Sequence, residues 1–204
     1  MAKKASGARA KQGRRKQASL SALAAVVALG LSGCANLSSP ERFDLRAAPA
    51  RARPSAATFV VPTPTAYQPL DSELIVVRGA DESLSRVPGV EWADRPPALL
   101  QARIIQTFEN AGLARQVAVG GGSAQYALRV DLRRFDIDAA SHSAMVEMTA
   151  RLVAENGGRT VAAKIFSASE PVDEIAGAAP PMALNRALAD VLARMIPWAA
   201  SLGR

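Results

Sequence analysis

The sequence predicts a two-layer α/β sandwich, in which two helices cover one face of a mostly antiparallel sheet of four or five strands. Two observations carry this prediction. Apolar residues recur every three to four positions in the segments 96–111 and 180–196, as in amphipathic helices. In the segments between 126 and 165 they alternate with polar residues, as in strands with one buried face. The order strand, helix, three strands, helix places both helices on one side of a single sheet.

The first strands are short. An early strand is predicted at residues 42–45 (RFDL) and another at residues 58–61 (TFVV), since both segments are apolar enough. A buried strand is predicted at residues 74–77 (LIVV), because this run is rich in β-branched residues and is bounded by charged residues and Gly79. Residues 47–69 are rich in Ala, Pro, Arg and Thr. This composition is typical of an extended, poorly packed segment.

The first helix is predicted from its terminal residues as well as from its periodicity. Asp94 is a good N-cap, and Pro96 and Pro97 fall in the first turn, where proline removes no helical hydrogen bond. Gly112 is placed to end the helix in a left-handed conformation. The apolar stripe consists of Leu100, Ile104, Phe108 and Ala111.

Three strands follow as an antiparallel meander with one buried face. The glycine run 120–122 lacks the Lys-Ser/Thr of a phosphate-binding loop and is interpreted as a flexible connection. From Tyr126 onward the alternation is regular until it slips by one residue before Phe135, which predicts a bulge. Residues 156–158 (NGG) then predict a tight hairpin. The apolar residues of the second strand are Val146, Met148, Ala150 and Leu152, and Val161, Ala163 and Ile165 continue the pattern in the third.

The last helix is predicted to begin at Pro180 and Pro181 and to end at Pro197, because proline is tolerated in a first turn and disfavoured in a helix interior. Its apolar stripe consists of Leu184, Leu188, Val191, Leu192 and Met195.

The N-terminal residues predict export. Seven basic residues and no acid precede an apolar run of about a dozen residues, too short for the roughly 20 that span a bilayer. Residues 31–34 (LSGC) resemble the bacterial lipobox, which implies cleavage between Gly33 and Cys34 and both an S-diacylglycerol and an N-acyl group on Cys34. Two or three acyl chains anchor a protein far more firmly than one. Ala35 stands where an inner-membrane retention signal usually has Asp, so we expect the periplasmic face of the outer membrane, with inner-membrane anchoring as the alternative.

These features divide the chain into three parts. Residues 1–33 form the cleaved lipoprotein signal peptide, and residues 34–57 form the lipidated N terminus, the early strand and the extended linker. Residues 58–204 form a single domain. The 171 residues left of 204 after cleavage are enough for one core.

The formal charge of +7 does not indicate a nucleic-acid partner. Seven of the 25 basic residues lie in the signal peptide and none of the 18 acidic residues does, so 18 of each remain in the mature chain. A chain that is neutral on balance has no electrostatic basis for binding nucleic acid. With Cys34 lipidated, no thiol remains for a disulfide or a metal site, and the covalent lipid is the one prosthetic group we expect.

The polar residues suggest no catalytic or metal site. His142, the only histidine, sits in a predicted turn without an orienting acid, which favours a solvated loop residue over a general base. Asp136 and Asp138 share one face of a strand end; solvation there is favoured over cation binding, because a calcium loop needs more ligands. Arg133 and Arg134 are predicted to point to opposite faces. Ser167 and Ser169 lack any surrounding motif.

Trp92 and Trp198 are the candidate interface residues. An indole buries a large area, so Trp92 is interpreted first as an anchor that holds the loop before the first helix on the core. The other interpretation is a contact with a partner or with lipid. Trp198 is either a partial core residue or an exposed contact.

The sequence combines the lipobox, the segment 42–45, the strand 74–77 leading through Trp92-Ala93-Asp94 to a proline-initiated helix, the meander and the last helix. This combination resembles the ABC-type transport auxiliary lipoprotein family, of the paraquat-inducible protein C type. The resemblance covers nearly the whole mature chain. Its departures are the Ala/Pro/Arg-rich insert at 47–55 and Asp44, where the early strand often has a hydroxyl residue.

The resemblance implies a non-enzymatic, periplasm-facing subunit of an envelope transporter for lipids or other apolar molecules. Its partners would be an ABC permease and ATPase and a substrate-binding protein of the mammalian-cell-entry type, and a homo-oligomer is compatible with this role. Three alternatives stay open: a lipid carrier with a cavity between sheet and helices, a hydrolase that uses His142, and a structural envelope lipoprotein without a transporter.

Overall fold

A computed structural model describes residues 39–118 and 124–202, which fold into one sheet and two helices. The strands are β1 (Glu41–Phe43), β2 (Phe59–Val60), β3 (Thr65–Ala66), β4 (Leu74–Arg78), β5 (Leu84–Trp92), β6 (Val117–Ala118), β7 (Tyr126–Asp138), β8 (Ser143–Ala154) and β9 (Thr160–Pro171). The helices are α1 (Pro96–Asn110) and α2 (Ala179–Leu202).

Strand β7 organises the sheet. One of its edges pairs with β8 along its whole length, and β8 pairs in turn with β9, both antiparallel. The other edge pairs in succession with β2, β3 and β4, all parallel to β7. In the described residues the sheet therefore has nine strands, and the predicted number of four or five is wrong. The mixed α/β class is confirmed.

The predicted antiparallel pairing of three consecutive strands is confirmed, together with the bulge before Phe135. The pairing of β7 with β8 shifts register between Leu132 and Arg134, where the sequence predicts a bulge. The hairpin between β8 and β9 places Gly157 and Gly158 at φ values of 86° and 65°, which glycine adopts without steric cost. The inward residues of β8 are fully buried at Val146, Met148, Ala150 and Leu152.

The apolar residues of β9 lie on the opposite face from the one expected. Phe166 lies directly opposite Met148 on β8 and is buried with it, so Phe166 and every second residue from it along β9 face the helices. Val161, Ala163 and Ile165 are the residues in between, and they are exposed on the other face of the sheet. A second register shift, between Leu152 and Val153, leaves Val161 as the extra residue next to the turn.

Strand β5 is absent from the prediction because it contains Pro88 and Gly89, which normally argue against a strand. Its pairing with β4 shifts register between Leu74 and Val76, and Gly89 has a φ of 74° within this irregular stretch. Proline and glycine are tolerated here because the ladder is interrupted. Trp92 is therefore the last residue of a strand and not part of a loop.

Helix α1 begins and ends where the sequence predicts. Its stripe residues Leu100, Ile104 and Phe108 are fully buried, and Gly112 follows the helix with a φ of 81°. The predicted cap is wrong: Arg95 occupies the N-cap position without a side-chain cap, and the carboxylate of Asp94 accepts a hydrogen bond from the Arg95 N–H at 2.6 Å.

Helix α2 continues through Pro197 to Leu202, so the predicted end at Pro197 is wrong. The predicted stripe is buried, and beyond the proline Ala199 and Ala200 are buried as well. Packing of this last turn on the core compensates for the hydrogen bond that Pro197 cannot donate. Neither helix of the described residues is both long and apolar enough to cross a membrane.

The segment before β4 packs more closely than its composition predicts. Between β1 and β2 it has no regular secondary structure, yet Ala48 and Ala57 are buried, as are Phe59, Val61 and Leu70 further on. The side chain of Asn110 donates a hydrogen bond to the Ala48 carbonyl at 3.0 Å. The segment is therefore extended and exposed at Pro49 and Pro54, but it packs on the core through its buried residues.

Candidate partner-docking surface

Strand β9 lies at an edge of the sheet. In the part of the chain that the structure describes it pairs only with β8, so its other edge has no strand partner. Ile165 and Val161 on this strand are 52% and 37% exposed. Unpaired backbone groups beside exposed apolar side chains are the features of a surface that can accept a partner strand or an apolar partner face.

Two arginines lie beside these residues on the same face of the sheet. Arg129 on β7 is the Cα partner of Arg151 on β8, and Arg151 is in turn the partner of Ala163 on β9. Both arginines are exposed, and none of the ion pairs between described residues includes either of them. Like charges directly opposite each other on adjacent strands are destabilising. We call this surface the meander face (Arg129, Arg151, Val161, Ala163 and Ile165).

The meander face has defined limits. Asp131 lies on it next to Arg129, and its carboxylate accepts a hydrogen bond from the Thr65 hydroxyl at 2.8 Å. At the far end of β9, Arg194 of α2 donates a hydrogen bond to the Ser167 carbonyl at 2.6 Å. This contact occupies part of the strand edge, so the accessible part of the edge lies nearer the hairpin, beside Ala163 and Ile165.

A cluster of ion pairs lies on the same side of the sheet at the other end of β7. The carboxylate of Asp136 is fully buried and accepts hydrogen bonds from Arg134 at 2.6 Å and 3.3 Å. Arg78 on β4 approaches the same carboxylate at 3.6 Å and donates to Glu82 at 2.8 Å. We call this group the ionic cluster (Arg78, Glu82, Arg134, Asp136 and Asp138).

The electrostatics of the ionic cluster favour the charged forms of Arg78, Arg134 and Asp138. Burial opposes the charge of Arg78, but hydrogen bonds to Glu82 and Tyr67 outweigh it and raise the pKa of the guanidinium. The hydrogen bond to Asp136 raises the pKa of Arg134. Hydrogen bonds from Ser141 hold the pKa of Asp138 below its ordinary value. The cluster fastens β4 to β7 and to the following turn.

Two predictions about these residues are wrong. Asp136 is not a solvated strand-end residue, because Arg134 and Arg78 cover it. Arg133 and Arg134 do not point to opposite faces: Arg133 pairs with Glu147 at 3.2 Å, and Arg134 is the Cα partner of that same Glu147. At the bulge, Arg133 and Arg134 lie opposite the single residue Glu147, so their side chains do not alternate between the two faces of the sheet.

The two tryptophans occupy different environments. Trp92 is fully buried, and its ring lies 5.2 Å from that of Phe135. Trp198 is half-buried and meets Phe166 edge-on at 5.5 Å. The indole N–H of Trp92 is buried without a hydrogen-bond partner among the described residues. The structure thus places Trp92 in the core and leaves only Trp198 partly accessible.

His142 is exposed in the turn between β7 and β8, with a φ of 48°. No hydrogen bond described for the chain joins its imidazole to a serine or a carboxylate, and Ser167 and Ser169 lie exposed on β9. Within residues 39–118 and 124–202, no three His, Cys, Asp or Glu side chains are grouped so that they could hold a metal ion. Gly33 and Cys34 lie outside the described residues.

The alternation pattern does not predict the meander face, because it assigns Val161, Ala163 and Ile165 to the core. A signal for it is present nonetheless. Strand β9 has apolar residues at both alternating sets of positions: Val161, Ala163 and Ile165 in one set, and Ala162, Phe166 and Ala168 in the other. Successive side chains of a strand point to opposite faces, so such a strand places apolar residues on both faces of the sheet.

Known proteins resemble the chain over most of its length. An uncharacterized protein of Bradyrhizobium diazoefficiens, bll6063, is 32% identical over 153 residues, which are 72% of this chain and 40% of that protein. The crystal structure of XCC0632 from Xanthomonas campestris, of the family DUF330, has 27% identity and a TM-score of 0.71, covering 81% of this chain and 96% of that one. A second crystal structure, of an uncharacterized protein, has a TM-score of 0.60 at 15% identity and covers 80% and 97% of the two chains.

The family comparison agrees with the resemblance found in the sequence. The sequence model of the ABC-type transport auxiliary lipoprotein component matches residues 43–196, from the last residue of β1 into the final turns of α2. The match includes the whole meander, α1 and most of α2. Because it covers about three quarters of the sequence, this chain belongs to the ABC-type transport auxiliary lipoprotein family.

Proposed function

We propose that this protein is a lipid-anchored, non-catalytic subunit of an ABC-type envelope transporter, and that it docks on the transporter's periplasmic part through the meander face. The partners would be the permease with its ATPase and a substrate-binding protein of the mammalian-cell-entry type. The cargo would be lipids or other apolar molecules. Family membership supports the link to an ABC transporter. The exposed edge strand of the meander face is the observation that carries docking.

The charges of the meander face favour a partner surface that combines carboxylates with apolar side chains. Arg129 and Arg151 oppose each other without a described ion-pair partner, and a carboxylate placed between them would relieve their repulsion. Ile165 and Val161 would lose exposed apolar area in the same contact. Among the residues that the structure describes, a free strand edge, two cations without an ion pair and an apolar patch meet at this one place.

An adaptor explains the interior better than a carrier does. A carrier needs a cavity of several hundred Å³ between sheet and helices. That layer is filled by side chains that are fully buried, such as Trp92, Phe108, Leu128 and Leu188.

Co-purification of the detergent-solubilised lipoprotein tests the proposal. We expect a permease and a mammalian-cell-entry-type protein to be recovered with it. Repeated recovery of peptidoglycan or of outer-membrane assembly proteins alone would reject the transporter link and favour a structural lipoprotein.

Ile165→Glu should reduce recovery of the transporter proteins about tenfold, since burying a carboxylate in an apolar contact costs on the order of 1.4 kcal/mol or more. Leu84→Glu is the matched control, because Leu84 is also a large exposed apolar residue, 42% exposed, but lies on β5. Both variants should unfold like the wild type, as surface substitutions usually do. Equal recovery with Ile165→Glu and Leu84→Glu would exclude the meander face as the docking surface.

Anchoring through Cys34 has its own test. Cells labelled with palmitate should incorporate label into the wild-type protein and none into Cys34→Ser, because a thioether forms on a thiolate and not on a hydroxyl. Ala35→Asp is the matched control: it should keep the label and move the protein from the outer to the inner membrane. Labelling of Cys34→Ser would show that the lipid is attached elsewhere or that labelling is indirect.

A further inference from the structure

An open groove lies between the chain around β1 and the exposed side of α2. Its volume is about 720 Å³, within the range of roughly 300–1,000 Å³ found for small-ligand sites. Its apolar lining includes Phe43, Met182 and Ala189, and Met182 is 54% exposed although it is a large apolar side chain. We call this site the β1–α2 groove (Phe43, Arg42, Arg46, Met182, Arg186 and Ala189).

The walls of the groove are held in place by Asn185. Its side-chain amide donates hydrogen bonds to the carbonyls of Asp44 and Pro181, each at 3.2 Å, and its oxygen accepts one from the Arg46 N–H at 2.9 Å. The adjacent Leu45 is buried. The segment that follows β1 is hydrogen-bonded to α2. The site is therefore preformed, and a preformed site loses little entropy on binding.

The rim of the groove carries more positive than negative charge. Arg42, Arg46 and Arg186 line it together with one carboxylate, Asp44. That carboxylate already accepts a hydrogen bond from Arg103 at 2.6 Å.

The rim arginines are only weakly engaged elsewhere. Arg42 and Arg186 have single exposed contacts, with Glu73 at 3.5 Å and Glu170 at 3.4 Å. Exposed pairs of this kind contribute about 0–1 kcal/mol. Arg46 has no ion pair with a described residue, although its backbone is held by Asn185.

We propose that the β1–α2 groove binds a single-chain anionic phospholipid. The acyl chain lies along Phe43, Met182 and Ala189, and the phosphate contacts Arg46, with Arg42 and Arg186 in reach. Guanidinium is suited to this role because its fork of N–H groups matches phosphate oxygens. The volume fits one chain and one headgroup. The proposal rests on the proposed function for the source of the lipid; the contact itself does not depend on docking to a transporter.

Photo-crosslinking tests this binding on the mature lipoprotein reconstituted in phosphatidylcholine vesicles. The probe is photoactivatable lysophosphatidylglycerol, with its reactive group on the acyl chain. We expect crosslinks to map by mass spectrometry to peptides containing Phe43, Met182 or Ala189. Unlabelled lysophosphatidylglycerol should compete at about tenfold lower concentration than lysophosphatidylcholine, whose headgroup is neutral overall. Absence of crosslinks, crosslinks elsewhere, or equal competition by both lipids would overturn the proposal.

Charge reversal supplies the matched pair of variants. Arg46→Glu should reduce crosslinking about tenfold, whereas Arg115→Glu, which changes another exposed arginine in the turn before β6, should not. Equal losses in both variants would indicate attraction by overall charge and overturn the proposal. A change in the sedimentation mass of Met182→Asp would assign the groove to a second copy of the chain instead. Arg46→Glu should leave recovery of the transporter proteins unchanged, so failure of lipid binding and failure of docking are distinguishable.

Discussion

Trp92→Ala is expected to lower the free energy of unfolding by about 3–5 kcal/mol, the range observed when a large aromatic side chain is removed from a core. Trp92 is fully buried at the end of β5, with its ring 5.2 Å from Phe135. The residue also ends the strand that leads into α1, and its backbone N–H donates a hydrogen bond to the Glu73 carbonyl at 2.8 Å. Loss of the indole leaves a cavity in the core beside Phe135. Chemical denaturation followed by circular dichroism measures the effect.

Two further variants separate the core role of Trp92 from a role in binding. Trp92→Phe should cost only about 1 kcal/mol, because it removes a buried N–H that has no described partner together with part of the ring. Trp198→Ala should cost about 1–2 kcal/mol, since Trp198 is half-buried and contacts Phe166 edge-on. If Trp92→Ala were as stable as Trp198→Ala, the assignment of Trp92 to the core would be wrong.

Asp136→Ala is expected to destabilise the protein by about 3 kcal/mol. Removing one partner of a buried ion pair costs about 3–5 kcal/mol, because the remaining charge is left uncompensated. The lower end applies, since the side chain of Arg134 is 27% exposed and keeps a contact with Asp138 at 3.4 Å. Urea denaturation at neutral pH and constant ionic strength measures the difference.

Asp131→Ala is the matched control for this prediction. Asp131 lies on the same strand and the same side of the sheet, but its described partner is the hydroxyl of Thr65. Its loss should cost less than about 1 kcal/mol. The free-energy cost of Asp136→Asn should lie between those of Asp136→Ala and Asp131→Ala, because the amide oxygen still accepts a hydrogen bond from Arg134. Equal costs for Asp136→Ala and Asp131→Ala would contradict the structural role of the ionic cluster.

Several features of the fold follow from patterns within short stretches of sequence. The stripe of α1, its proline start and the glycine after its end all lie within 17 residues, 96–112. The hairpin glycines and the slip in alternation before Phe135 are equally local. Each of these features concerns residues that are neighbours along the chain, so periodicity and turn chemistry are sufficient to predict them.

The candidate site depended on contacts that local patterns do not contain. Ile165 is exposed because its neighbour Phe166 is paired with the buried Met148, which turns Ile165 to the other face of the sheet. This pairing depends on the register shift beside the hairpin. The pairing of Arg129 with Arg151 is likewise a matter of register between two strands. A shift of one residue exchanges the two faces of a strand.

Sequence patterns alone predict the order of the main elements, the two helical stripes and the meander with its bulge, and they identify the family to which the chain belongs. Three other features became evident from the folded chain: β2, β3 and β4 share one edge of β7, Asp136 is buried under two arginines, and β9 presents apolar residues to solvent. The two groups of features differ in the range of the interactions that produce them. Helix periodicity and turn conformation depend on neighbouring residues, whereas two-residue strands, buried ion pairs and edge exposure depend on partners far away in the chain.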